Sequence, residues 1–187
     1  MKVVLINAPF DIPKMFGFKS KTKRLTHQPL GIGYVASGLE NDGHEVIFLD
    51  CQALHLDVDE TVGRLKALEP GVVGISCFAL GRYIVYDLVK RIRDVLPDVP
   101  LVLGGPQVTA FTDTVFEECP EIQLVLRGEA DYSLPMLVGC VENGASLEDV
   151  PGLVWRNNAS NPCYGRPPEI IHDLDALPFP ARHIYSL

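Results

Sequence analysis

Apolar and polar positions divide the first 150 residues into a repeated unit, in which a short β-branched run is followed by a stretch of helical spacing. The runs are Lys2 to Ile6 (KVVLI), His44 to Leu49, Val72 to Ser76, Leu101 to Leu103 and Ile122 to Leu126. Val72, Val73 and Ile75, with Gly74 let into the run, show no in-and-out alternation. Such a strand is covered on both faces, as in the middle of a parallel sheet. Tyr83 to Leu96 places Ile84, Val85, Leu88, Val89 and Ile92 on one helical face, with Arg91 and Arg93 toward its C-terminus and Pro97 and Pro100 closing it. Pro29 to Asn41 is a helix stopped by Asp42-Gly43, and Val58 to Leu68 is a second with Asp57 or Asp59 as its cap. A fourth begins at Thr109 or Thr112 and ends near Cys119-Pro120, and Ser133 to Val141 is a fifth. Five alternations of strand and helix predict an α/β fold: a Rossmann-like (flavodoxin-like), doubly wound, five-stranded parallel sheet in three layers, with right-handed crossovers.

From Pro151 the pattern changes. Gly152 to Arg156 and Glu169 to Ile171 are expected to pair as a small hairpin. Asp173 to Leu187 (DLDALPFPARHIYSL) is proline-punctuated and aromatic, and reads as a linker that docks on something. The expected division is residues 1–150 as one ligand-binding domain and 151–187 as hairpin and linker.

Composition narrows the function classes. The chain of 187 residues is 47% hydrophobic and 21% charged, with no apolar run that would span a bilayer and no signal peptide before the first strand. The net charge of −8 argues against a general nucleic-acid binder. Residues 1–24 nonetheless hold six cations against one acid, and the run from Lys14 to Arg24 lies in a long loop that is either solvated or a contact for an anionic ligand or partner domain. The cysteines are Cys51, Cys77, Cys119, Cys140 and Cys163, with no CxxC, CxxxCxxC or Cys/His cluster. That is the pattern of a cytoplasmic chain with free thiols and without a zinc or iron–sulfur site of its own.

The chemistry-bearing candidates lie where strands end, the edge at which open α/β sheets bind ligands. Gly31-Ile-Gly-Tyr-Val-Ala36 matches GxGxxA, with Asp50 ending the next strand. The dinucleotide fingerprint requires that turn directly after strand one. Here some 24 residues intervene, and close helix–sheet packing accounts better for the glycines. A phosphoacceptor domain would need an acidic pair after strand one, an Asp after strand three and a Lys after strand five. Asn7-Ala8-Pro9, Ser76 and Arg127 stand there instead. The phosphate loop of a flavodoxin and the nucleophile elbow of a hydrolase are absent. The histidines are scattered, with His27 nearest the ligand edge, and Cys77 at its strand end is read as a buried, inert thiol.

Ser76 and Gly104-Gly105 remain, with 28 positions from the serine to the first glycine. With Pro29-Leu-Gly-Ile-Gly-Tyr-Val-Ala36, Gly43-His-Glu-Val46, Val73-Gly-Ile-Ser76, Gly104-Gly-Pro106 with Thr109, Arg127-Gly-Glu129, Pro151-Gly-Leu-Val154 and Asp173-Leu-Asp-Ala-Leu-Pro-Phe-Pro-Ala-Arg182, the chain resembles the N-terminal cobalamin-binding domain of B12-dependent radical SAM proteins. These include magnesium-protoporphyrin monomethyl ester oxidative cyclases and many methyltransferases. The resemblance implies that Ser76, Gly104 and Gly105 hold the nucleotide tail of the corrinoid and that Gly74 thins the same wall. It further implies that Ala8, Pro9, Phe78, Pro106, Gly128 and Glu129 line the ring or its amide side chains, and Cys77 belongs to the same cofactor-binding set. The radical SAM barrel, with the 4Fe–4S cluster and S-adenosylmethionine, is expected after Leu187, so this stretch is expected to be inactive alone. The Asp-x-His-x-x-Gly loop of methionine-synthase-type domains is replaced by Asp11-Ile-Pro-Lys-Met-Phe-Gly17, which holds no histidine, and Gln107 stands where relatives often have one. Cobalamin is therefore expected base-off, without a histidine ligand. The rival reading is a non-catalytic nucleotide- or NAD-binding module using the same sheet edge.

Overall fold

Strands run through the middle of the molecule in the order β2-β1-β3-β4-β5-β6-β7. The structure, a computed structural model, describes residues 1–10, 27–157 and 159–185. The basic run from Lys14 to Arg24 and the Asp11–Gly17 loop lie outside the described residues. The strands are β1 (Lys2–Asn7), β2 (Glu45–Asp50), β3 (Val72–Ser76), β4 (Leu101–Gly104), β5 (Leu124–Leu126), β6 (Leu153–Arg156) and β7 (Pro162–Tyr164). The first five pair in parallel. The helices are α1 (Leu30–Asn41), α2 (Val58–Leu68), α3 (Arg82–Val95), α4 (Pro106–Ala110), α5 (Thr112–Glu118) and α6 (Ala130–Asn143).

Three expectations need correction. The sheet has seven strands and is mixed, because β6 joins β5 antiparallel and β7 joins β6 antiparallel. The hairpin partner of β6 is Pro162–Tyr164, not Glu169–Ile171. The turn explains the choice: the Asn157 side-chain oxygen accepts from the Ala159 and Asn161 amides at 3.0 Å each, closing a short loop that leaves the chain at Pro162. The fourth helix is two helices, interrupted at Phe111, and its start is Pro106, a residue favoured in the first turn because it has no N–H to leave unpaired. α2 keeps the expected bounds. Asp57 accepts from the Glu60 amide at 2.8 Å while Glu60 accepts from the Asp57 amide at 2.9 Å, a reciprocal capping box.

Side chains alternate across each strand, so the register sorts the core into two halves. One face carries the row Ile6, Ile75, Leu103 and Val125, packed under α2, α3, α4 and α5 through Leu65, Leu88, Ile92, Val108 and Val115. The other carries Val3, Val72, Val102, Leu124 and Leu126, packed under α1 and α6 through Ala36, Leu39, Leu134, Leu137 and Val138. On this second face the next cross-sheet rows run Leu5, Gly74, Val102 and then Asn7, Ser76, Gly104. Two of those six positions have no side chain and two carry small polar ones, so the core thins toward the C-terminal ends of the strands.

Candidate cofactor site

The thinning opens a cavity of about 700 Å³ between the first turns of α1 and α6, floored by the sheet. Leu5, Gly74, Ser76, Val102, Gly104 and Leu126 form its floor. Leu30, Gly31, Ile32 and Val35 form the α1 wall, and Ala130, Asp131 and Leu134 the α6 wall. At its mouth stand Phe78, Pro106, Thr109, Gly128 and Glu129. The lining is mainly apolar with a few polar side chains, Asn7, Ser76, Thr109, Glu129 and Asp131, the usual form of a site for an organic ligand.

The three loops at the mouth are tied together by the backbone. The Cys77 amide donates to Gly104 O at 2.8 Å, and the Gln107 amide donates to Cys77 O at 3.2 Å. The Thr109 hydroxyl donates to Gly105 O at 3.1 Å and accepts from the Gly128 amide at 3.1 Å, joining the loop after β4 to the loop after β5. Gly105 turns the chain from β4 into α4 at φ +99°, a conformation costly for a residue with a Cβ. A Cβ there would also stand 3.0 Å from Cys77 O and 3.2 Å from Ser76 Oγ. Gly104 differs. A Cβ on it would meet only Leu126 O, at 3.9 Å, so its missing side chain is space given to the cavity. Asn7 is fixed at the edge by donating to Asp50 at 2.9 Å and accepting from Gln52 at 3.1 Å.

Of the residues singled out in the sequence, Gly74, Ser76, Phe78, Gly104, Gly105 and Pro106 are brought to this cavity, as are Gly128 and Glu129. Ala8, Pro9 and Cys77 are buried and are not part of its wall. Ala8 and Cys77 belong to the opposite, filled core, where burial pushes the Cys77 thiol up to about 12. His27 is exposed and is also outside the wall. Gly33 of the GxGxxA stretch faces Pro180 and Tyr185. The sequence reading missed Asn7, Ile32, Val35, Asp131 and Leu134 as site residues. Asp131 is the unusual one, because burial, reinforced by nearby Glu129, raises its carboxyl above the ordinary range although its own backbone N–H opposes the shift. Among the described residues no cluster of His, Cys, Asp and Glu is built to hold a metal ion, and no helix is long and apolar enough to cross a membrane.

Fold and site define an α/β ligand carrier with its cavity on one side of the sheet, at the C-terminal edge. Residues 22–138 match the B12 binding domain family, and the chain belongs to that family. It is 30% identical over 185 residues, 97% of this chain and 38% of the relative, to the uncharacterized methyltransferase PH0819 of Pyrococcus horikoshii. It is 27% identical over 177 residues, 94% of this chain and 34% of the relative, to an anaerobic magnesium-protoporphyrin IX monomethyl ester cyclase of Synechocystis. The chain thus spans about two fifths or less of the length of these relatives. Among solved structures it superposes on the cobalamin-dependent S-adenosylmethionine radical enzyme OxsB, with aqua-cobalamin and S-adenosylmethionine bound, at a TM-score of 0.78 and 18% identity, over 98% of this chain and 24% of that one. That likeness carries the fold. The family match sets cobalamin above the nucleotide- or NAD-binding reading.

Proposed function

We propose that this chain is the cobalamin-carrying part of a larger B12-dependent radical SAM enzyme, and that the cavity beside Gly74 and Gly104 takes the nucleotide tail of the corrinoid. The observation that carries this is the bare patch of Gly74, Ser76 and Gly104 on one sheet face in a chain of the B12-binding family. Ser76 and the Gly104-Gly105 backbone hold the tail as it enters. The apolar walls of α1 and α6 receive its base. Phe78, Pro106, Gly128 and Glu129, at the mouth, meet the ring and its amide side chains. When bound, a corrinoid supplies a cobalt centre that accepts and releases a methyl group or changes oxidation state.

The same reading makes the cofactor base-off. A tail inside the protein is withdrawn from cobalt, and the segment from Asn7 to Thr26 contains no histidine to replace it. The 4Fe–4S cluster and S-adenosylmethionine are assigned to another part of the enzyme, since this chain holds no three-cysteine motif. Titration of the intact protein with hydroxocobalamin, read by absorbance and calorimetry, is expected to give one tightly held equivalent. NADH and nucleotide sugars should not compete. Electron paramagnetic resonance of the Co(II) form should lack the triplet splitting of an axial nitrogen. Binding of NADH in place of cobalamin would overturn the assignment, and triplets that vanish in His27→Ala would make His27 the ligand.

A further inference from the structure

The segment that follows the hairpin lies across the outside of α1, on the side away from the cavity. Ala181 and Tyr185 are 4% and 7% exposed there. The Ala181 amide donates to Gly33 O at 2.9 Å, the Ser37 hydroxyl donates to Phe179 O at 2.5 Å, and the Tyr185 hydroxyl donates to Pro29 O at 3.1 Å. The Tyr185 ring meets Phe48 of β2 edge-on, with centroids 5.6 Å apart. Gly33 makes this approach possible, because a Cβ on it would run into the Tyr185 hydroxyl.

The helix end so held has little holding it from within. Its N-cap is Pro29, with no side-chain cap bond and no acidic residue in the first turn. A helix start with open N–H groups and no cap frays. Yet this same turn, through Leu30, Gly31 and Ile32, is the α1 wall of the cavity. One surface of the turn faces the ligand and the other is clamped by the strap.

We infer that Phe179 to Tyr185 is a positioning strap for the tail cavity, with Tyr185 as its positioning residue: it holds the first turn of α1 where the nucleotide tail packs, so strap docking and tail binding strengthen each other. The inference rests on the cobalamin reading above. By linkage the coupling is reciprocal, so a ligand that fills the cavity tightens the strap by the same factor. A ligand without a tail does not.

The test uses cobalamin and cobinamide, which has the corrin ring but no nucleotide, on the intact protein. Tyr185→Phe removes one hydroxyl and keeps the ring on Phe48. It is expected to weaken cobalamin by up to about fivefold, the ceiling that one net hydrogen bond sets on the coupling, and to leave cobinamide unchanged. Gly33→Ala, whose Cβ would displace the Tyr185 hydroxyl, should act in the same direction. If that variant melts early, Tyr185→Phe decides. In the wild type, cobalamin should slow hydrogen exchange across residues 181–185 and cobinamide should not. Equal losses for both ligands, no loss for either, or exchange that ignores cobalamin would overturn the inference. A wild-type protein that binds no cobalamin would instead overturn the functional reading, and the strap's role with it.

Discussion

The two faces of the sheet are built from the same strands and end differently. Toward α2 to α5 every position of the row Ile6, Ile75, Leu103, Val125 is large and buried. Toward α1 and α6 the row one residue further along reads Asn7, Ser76, Gly104. One parity of residues makes a core that is solid to the edge and the other a core that opens into a cavity there, in strands that run only 4 to 6 residues from β1 to β4. The lesson is that a parallel sheet can be stable and hollow at once, provided the hollow is confined to one side. Both faces supply burial that stabilises the fold, and only the C-terminal end of the second is left free to be shaped for a ligand.

Predictions from this contrast run from the largest expected effect to the smallest. Leu103→Ala, on the filled face, should cost about 2–5 kcal/mol, the range for a buried leucine that leaves a cavity. A drop in the urea midpoint with unchanged cobalamin affinity of the folded fraction would bear this out. Gly104→Leu, one residue away on the thin face, should project into the cavity, its Cβ coming no nearer than 3.9 Å to Leu126 O. It is expected to weaken cobalamin about 100-fold, or about 2.7 kcal/mol, with the midpoint nearly unmoved. Unchanged affinity would remove the cavity as the tail site. Gly105→Leu cannot serve in its place, because φ +99° and the nearby Cys77 carbonyl would strain the fold as well.

The cysteines report the same asymmetry. Burial holds Cys51 and Cys119 up to about 11, and both lie with Cys77 in the filled core. Cys140 and Cys163 are partly exposed. Iodoacetamide at about pH 8 should modify these two first, because the thiolate is the nucleophile. Modification of Cys77 as fast as Cys163 would show that the filled face opens. The smallest effect is expected at Asp131. Its folded carboxyl lies above the ordinary value of 3.8, so the folded state holds the proton more tightly than the unfolded chain. Its contribution to stability is present at low pH and is lost as pH rises through the raised value. Asp131→Asn should therefore raise the melting temperature slightly near neutrality and lose that advantage as the pH falls below the ordinary value of 3.8. A gain that persists at low pH would mean that the effect is not ionic.

Much of this was readable in the sequence, for identifiable reasons. β-branched runs marked the parallel strands, and apolar spacing placed α2 at Val58–Leu68 to the residue, with Asp57 and Asp59 both open as its cap. Gly74 and Ser76 could be placed on one face because strand periodicity is local, whereas Gly104 came with the family resemblance. What could not be read depends on packing between distant segments. Asp131 and Ile32 become site residues only when α6 and α1 settle on the same side of the sheet. Ile170 and Ile171 imitated a strand, yet Pro167 and Pro168 precede them and the nearer Pro162–Tyr164 takes the position beside β6. Pro106 did carry a usable signal, a proline opening a helix directly after a glycine turn, and weighing it would have moved the start of that helix.

The antiparallel hairpin has one more consequence. A sheet that stopped at β5 would present Leu124, Val125 and Leu126 as a bare apolar border with unpaired amides, an invitation for another molecule to add its own strand. β6 covers that border and hands the role to β7, which is three residues long and opens with a proline. At the far side the border strand β2 begins at exposed Glu45 and ends at Asp50. Both rims of the described sheet are thus guarded against edge-to-edge pairing, one by its shortness and its proline and one by the charges at its ends.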